Sequence, residues 1–133
     1  MKEQENVGSG GDLDRALADL RALSGDMASC AVLSPDGTLL SSSHGDGVDR
    51  ERAAAMLSAV ANLAERAARR EGKDHASQVR IDTDGGHLLL VRLEGGGTLA
   101  ATTGKDARVG LVLYDMRNAR GTVGAAANGG TQS

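Results

Sequence analysis

The amino-acid sequence predicts an α+β fold: a five-stranded antiparallel sheet with helices on both faces, forming a three-layer α/β/α sandwich in the order αββαβββα. Three observations support this prediction. The length of 133 residues fits one domain. Apolar residues recur at helical spacing in some segments and at strand spacing in others. The turns between successive strands are short and glycine-rich, which favours antiparallel pairing over a doubly wound parallel nucleotide fold.

Composition and charge exclude several classes of partner and site. The chain has 15 Lys+Arg against 18 Asp+Glu, a formal charge of −3, and one Tyr as its only aromatic residue. We therefore expect no nucleic-acid partner, because both a basic surface and stacking side chains are missing. The single Cys excludes an intramolecular disulfide and a multi-cysteine zinc site. No signal-peptide or membrane-span pattern is found, so we expect a cytoplasmic protein without membrane insertion.

The first predicted elements are a helix and a β-hairpin. Asp12 is a candidate N-cap, and apolar residues follow at helical spacing from Leu13 until Gly25 ends the pattern. The run from Met27 to Ser34 is apolar on both sides, as in a strand that is covered on both faces. The tetrapeptide SPDG then predicts a tight turn into a second strand, Thr38 to Ser43.

A long central helix is predicted from about Asp49 to Glu71, where Gly72 ends it. At 100° per residue, one row of apolar side chains falls on a single arc of this helix. We expect this row to pack on the sheet. It consists of Ala53, Met56, Leu57, Val60, Leu63, Ala64 and Ala67.

A second row of mostly small side chains lies on another face of the same helix. Spacings of four and three residues give it the register of a short helix-to-helix seam, and small side chains allow close approach. We therefore predict that a second helix packs there. The row consists of Ala54, Ser58, Ala61, Glu65 and Ala68.

Three further strands and a last helix complete the predicted order. Val79 and Ile81 alternate with charged residues, which is typical of a strand with one wet face. Strands from His87 to Glu94 and from Thr98 to Thr103 follow after glycine turns. The last helix is predicted from Lys105 or Asp106. Residues 1–11 and 121–133 lack apolar periodicity, so we predict a disordered N-terminal segment, a domain over 12–120 and a flexible C-terminal tail.

No catalytic, cofactor or metal site is predicted. Cys30 could act as a nucleophile with His44, His75 or His87 as its base, but its place within an apolar strand is typical of a structural thiol. The three His residues lack metal-ligand spacing. The segment GTLAATTGKD departs from the phosphate-loop pattern, because Asp106 stands where Ser or Thr is required after the Gly-Lys pair.

The element order and four segments together resemble the Roadblock/dynein light chain family, in particular its bacterial MglB-like members. The segments are AVLSPDGTLL (Ala31 to Leu40), the alanine-rich helix from Arg50 to Arg70, VRIDTDGGHLLLVRL (Val79 to Leu93) and LAATTGKDARVGLVLYDMR (Leu99 to Arg117). Each segment alone is a weak signal, and their order and spacing carry the resemblance. It covers residues 12–120.

The resemblance implies a profilin-like domain that forms a homodimer, with the long helices antiparallel and the third strands joined into one sheet. It further implies that the dimer binds or regulates a small Ras-like GTPase in bacterial signalling, with no active site or cofactor of its own. Together with the small-residue row, it predicts dimer contacts at Ala54, Ser58, Ala61, Glu65, Ala68, Val79 and Ile81.

The GTPase-facing residues and the main alternative function remain hypotheses at this point. Asn62, Arg66 and Arg69 are our candidates for partner binding. The arginines near the end of the long helix also complement its dipole, which is the simpler explanation for them. The alternative is a small-ligand sensory domain, which would need a pocket on the order of a few hundred cubic ångströms with converging polar groups.

Overall fold

The structure, a computed structural model, describes the backbone of residues 2–43 and 48–128 and the side chains of 11–43 and 50–128. Nine helices and strands follow one another over these residues, in the order that the sequence predicts up to the last helix. They are α1 (Lys2–Leu23), β1 (Met27–Leu33), β2 (Leu39–Ser42), α2 (Val48–Arg70), β3 (Gln78–Thr83), β4 (Gly86–Arg92), β5 (Thr98–Gly104), α3 (Val109–Asn118) and α4 (Arg120–Ala127).

The five strands form one antiparallel sheet in the order β2-β1-β5-β4-β3. The predicted antiparallel sheet and its hairpins are confirmed. The β4–β5 hairpin brings β5 to the centre, where it pairs with β1 on its other side. As a result β3 lies at one edge of the sheet, and only one of its sides is paired within the chain.

Helices cover both faces of the sheet, as predicted, but they do so unequally. The larger core lies under α1, α3 and α4, where alternate strand residues such as Val32, Leu89 and Leu99 are fully buried. The helices contribute Leu17 and Met116, among others, to this core. Its aliphatic composition agrees with the absence of Phe and Trp from the chain.

The opposite face of the sheet carries α2 alone and a much smaller core. The fully buried members of this core are Leu33, Leu57, Leu90 and Ala100. Val60 and Ala61 of α2 pack against them while remaining partly exposed. Among the described side chains of α2, only that of Leu57 is buried.

The orientation of α2 differs from the prediction. Leu57 and Val60 of the predicted sheet-facing row do pack on the sheet, together with Ala61 of the small-residue row. Met56 and Leu63, which the sequence also predicts to face the sheet, are 51% and 64% exposed. The buried arc is centred between the two predicted rows, because small side chains such as Ala61 let the helix axis approach the strands closely. Helical periodicity finds both rows but does not show that residues of both meet the sheet.

Both predicted chain ends also need correction. The backbone of α1 is helical from Lys2, not from the residue after Asp12, since extending a packed helix is far easier than nucleating one.

Residues 121–127 are not a flexible tail: they belong to α4, and its Val123 is 1% exposed. The segment RGTVGAAA has too few large apolar residues to show a helical period, and glycine lets α4 approach closely at Gly124, beside the Glu94 backbone. Residues 129–133 of the predicted tail lie outside the described residues.

The placement of α4 can be tested with an aspartate scan of two neighbouring positions. We expect Val123→Asp to lower the free energy of unfolding by at least about 3 kcal/mol, because it buries an unpaired charge. Thr122→Asp should change it by less than about 0.5 kcal/mol, because Thr122 is exposed on the same helix. Urea denaturation measures both. Equal, small effects would mean that the segment does not pack on the domain.

Candidate functional site

The exposed side of α2 carries large apolar side chains. Met56 and Leu63 project from it into solvent. On the same face of the sheet, Ile81 of β3 and Leu88 of β4 are only partly buried. One helix therefore leaves part of an apolar sheet face and its own apolar side without cover.

The free edge of β3 lies beside this surface. The Ser77 carbonyl accepts a hydrogen bond of 3.0 Å from the Arg92 amide. Inward and outward backbone groups alternate along an antiparallel strand, so the amides of Gln78, Arg80 and Asp82 point away from the sheet. Such an edge can pair with another strand.

The other face of β3 carries charged side chains. Arg80 Nε donates to Asp82 Oδ1 over 2.9 Å, and His87 Nδ1 lies 2.6 Å from the same oxygen. The hydrogen bond from Arg80, followed by that from His87, lowers the pKa of Asp82. Val79 and Ile81 lie on the opposite, α2-facing side, as the alternation in the sequence predicts.

Members of the small-residue row make contacts within the chain. Ala61 packs on the small core, and the Ser58 hydroxyl lies against Gly37, where an added Cβ would stand 2.6 Å from the Ser58 Oγ. Ala54 and Ala68 are partly buried. Ala61 and Ser58 therefore help to position α2 within the protomer. The helix-to-helix seam predicted for the row stays a prediction.

Glu65 fastens the segment that follows α2. Its Oε1 lies 2.9 Å from His75 Nδ1, and its Oε2 accepts a hydrogen bond of 2.9 Å from the Ala76 amide. The hydrogen bond from His75 is the largest cause that lowers the pKa of Glu65; the Ala76 amide and the charge of Arg92 act in the same direction, against partial burial. The two carboxylate oxygens thus fix His75 and Ala76, which lie just before β3 in the chain.

A half-open cleft of about 290 Å³ lies between the C-terminal half of α2 and one end of the sheet. Its floor is formed by β3 and β4, and its rim by the SPDG turn and the glycine turn before β5. Polar and apolar groups alternate around it. Its lining includes Leu33, Pro35, Ser58, Asn62, Glu65, Ser77, Val79, Leu90, Arg92 and Gly96.

The predicted partner-binding residues lie at the exposed surface near this cleft. Asn62 lines the cleft, whereas Arg66 and Arg69 are exposed on the last turns of α2 and do not line it. Arg92, a charged residue in the otherwise apolar strand β4, faces the cleft on the same side of β4 as Leu90. Arg92 and Leu90 are two residues apart in a strand, so the sequence alone predicts that they share one face of β4.

The predicted structural role of Cys30 fits its environment. Its side chain is 2% exposed, and burial raises the pKa of the thiol. His75 and His87 contact carboxylates, and His44 lies outside the described residues. The described part of the chain holds no group of three or more His, Cys, Asp or Glu side chains placed to bind a metal ion.

Within residues 2–43 and 48–128, no helix has the length and apolarity required to cross a bilayer.

Comparison with known proteins identifies the class to which this fold belongs. The family model of the Roadblock/LC7 domain matches residues 13–103. The chain therefore belongs to the Roadblock/LC7 family, and the predicted family resemblance is confirmed. Domains of this family are generally non-catalytic and regulatory, and no comparison indicates an enzyme family. No curated protein sequence matches the chain.

Solved structures agree with the family assignment. A Roadblock/LC7 domain from Streptomyces avermitilis is 28% identical, with 86% of this chain and 93% of that chain covered and a TM-score of 0.72. The MglB gliding protein from Thermus thermophilus is 12% identical, with 90% and 91% covered and a TM-score of 0.77. An MglB structure described as a tetrameric arrangement is 12% identical, with 92% of each chain covered and a TM-score of 0.79. At this identity the MglB structures show a shared fold.

The role of Glu65 makes stability depend on pH. A carboxylate whose pKa is lowered by folding stabilises the protein above its unfolded pKa of about 4.3, and this contribution is lost as the pH falls through the lower folded value. We expect Glu65→Ala to cost about 1–2 kcal/mol at pH 7 and progressively less in acid. Glu71→Ala, at an exposed glutamate, should cost less than about 0.5 kcal/mol. Urea denaturation from pH 3 to 7 measures this; a pH-independent cost would contradict it.

Proposed function

We propose that this chain forms a homodimer that acts as a non-catalytic regulator or scaffold of a small Ras-like GTPase in bacterial signalling, in the cytoplasm. The single observation that carries the proposal is the uncovered apolar side of α2, with Met56 and Leu63, next to the free edge of β3. Membership of the Roadblock/LC7 family supports it.

A two-fold pairing would use both features at once. Pairing of β3 with its copy would join the two sheets and satisfy the outward amides of Gln78, Arg80 and Asp82. The α2 helices would then meet over the joined sheet, each covering apolar side chains of the other. Burying an exposed Leu or Met side chain contributes about 1.5–3 kcal/mol to the free energy of association. In a two-fold dimer each such residue contributes once from each protomer.

The proposed contact residues differ in part from those predicted from the sequence. Val79 and Ile81 remain in the proposal because they lie on the α2-facing side of the edge strand. Met56 and Leu63 replace the small-residue row at its centre, because they are the large apolar residues exposed among the described side chains of α2.

The proposed GTPase partner rests on the family and on charge. The MglB structures share the fold, which is consistent with a regulator of this kind. The exposed Arg66 and Arg69, together with Asn62, would give the dimer a basic polar surface for an acidic patch of the partner.

The partner proposal is tested with the Ras-like GTPase encoded nearest to this gene. We expect the two purified proteins to co-elute when the GTPase is loaded with a GTP analogue, and the Arg66→Glu/Arg69→Glu double variant to reduce binding about tenfold or more. Arg15→Glu/Arg21→Glu, on exposed positions of α1, is the matched control. Absence of a complex in both nucleotide states would contradict the partner assignment. GTP turnover distinguishes a regulator from a scaffold.

The dimer contact is tested by two matched leucine substitutions. Leu63→Glu places a charge at the proposed contact and should shift the protein from dimer to monomer, with a loss of several kcal/mol of association energy. Leu111→Glu alters a leucine that is 48% exposed on α3 and should leave the dimer intact. Sedimentation equilibrium measures the mass of both. A dimer that survives Leu63→Glu would place the contact elsewhere.

The cleft favours a second candidate function, the small-ligand sensory domain predicted as an alternative. Its volume of about 290 Å³ is near the lower end of known ligand sites, and polar side chains converge in it. Thermal unfolding with a panel of small metabolites tests this function. A rise in Tm with at least one of them is expected, and no rise with any would count against it.

A further inference from the structure

The cleft beneath the second half of α2 contains an arginine whose guanidinium forms no hydrogen bond with the described residues. Arg92 is partly buried in the floor of the cleft. Its backbone amide donates to Ser77, but among the described residues its guanidinium makes no hydrogen bond and no ion pair. A partly desolvated guanidinium with free donors is a strong site for an anionic acceptor.

The neighbouring acid is not free to pair with Arg92. Both oxygens of Glu65, on the wall of the same cleft, are already used by His75 and the Ala76 amide. Its charge is close enough to Arg92 for the guanidinium to help lower the pKa of Glu65. In this cleft the Arg92 guanidinium therefore has unused hydrogen-bond donors and lies near the fixed negative charge of Glu65.

The walls of the cleft leave room for a small group. The turn Gly95, Gly96 and Gly97 has positive φ at all three residues and carries no side chain into the cleft. A Cβ at Gly96 would stand 3.2 Å from Pro35 Cγ, so the two turns already touch and hold the rim in place. Ser58 and Asn62 add hydroxyl and amide groups to the wall formed by α2.

We propose that this cleft binds a carboxylate, held by the Arg92 guanidinium. A carboxylate is planar and singly charged, so it matches the guanidinium fork in shape and the single unpaired cation in charge. A phosphate dianion is a poorer match, because its second charge would face Glu65 across the same small space. Leu90 and Val79 in the floor suit the methylene groups next to a carboxylate.

The carboxylate can come from a free organic acid or from an acidic side chain of a partner protein, and both use the same donors. The inference names the ligand of the second candidate function and rests on it, and it does not depend on the GTPase. The cleft residue Asn62 and the proposed dimer residue Leu63 lie about 100° apart around α2.

The test uses the ¹⁵N-labelled full-length chain and three probes: succinate, the blocked peptide acetyl-Ala-Asp-Ala-amide, and inorganic phosphate. We expect saturable NMR shifts of the Arg92 side-chain Nε–H and of the Gly96 amide with at least one of the two carboxylates. Arg92→Gln should weaken this binding about tenfold or more. Arg52→Gln, which removes an exposed arginine of α2 away from the cleft, should leave it unchanged. Arg92→Lys keeps the charge and the aliphatic stem, and should retain part of the affinity.

Each outcome decides one part of the inference. Binding of succinate alone identifies a free acid, and binding of the peptide alone identifies an acidic side chain; either supports the proposal. Tighter binding of phosphate would overturn the carboxylate assignment while leaving a ligand-binding function in place. Binding that is unchanged in Arg92→Gln would overturn the role of Arg92. No binding of any probe would overturn the inference, whereas the second candidate function is overturned only if no metabolite of the panel raises the Tm.

Discussion

The fit of α2 on the sheet is the constraint on which the rest of the structure depends. Small side chains, with Ala61 and Ser58 at the contact, let this helix lie close to the strands and to the turn at Gly37. The same rotation turns Met56 and Leu63 outward. Close packing within the protomer therefore creates an apolar surface that needs cover from outside it.

The two faces of the sheet differ in a way that fits this account. The face under α1, α3 and α4 has a continuous core with many fully buried side chains, and it supplies the stability of the protomer. The face under α2 has a small core that ends at the free edge strand β3. A self-associating domain of this family would thus have one face that holds it together and one that is completed by its copy. The cleft beside Arg92 lies on that second face and is lined by Asn62 but not by Leu63.

Sequence reasoning found the features that depend on local patterns. The strand from Val79 follows from alternation, and the strand from His87 follows from its apolar run and the preceding turn. The buried thiol of Cys30 likewise follows from its apolar run. It failed where tertiary packing chooses between equal patterns. Two rows of α2 were visible, but the close approach that small residues allow places the contact between them, at Leu57, Val60 and Ala61. It also missed α4, which is short and rich in Gly and Ala, and the cleft around Arg92, which joins residues distant in the chain.

Hydrogen exchange at the β3 edge tests the central claim most directly, because it reports on the backbone groups that a second copy would satisfy. The amides of Gln78, Arg80 and Asp82 point away from the sheet within one protomer. The account predicts that they are protected at high protein concentration and lose protection on dilution, while the amides of the central strand β5 stay protected throughout. Fast exchange at these three amides at every concentration would contradict the proposed pairing.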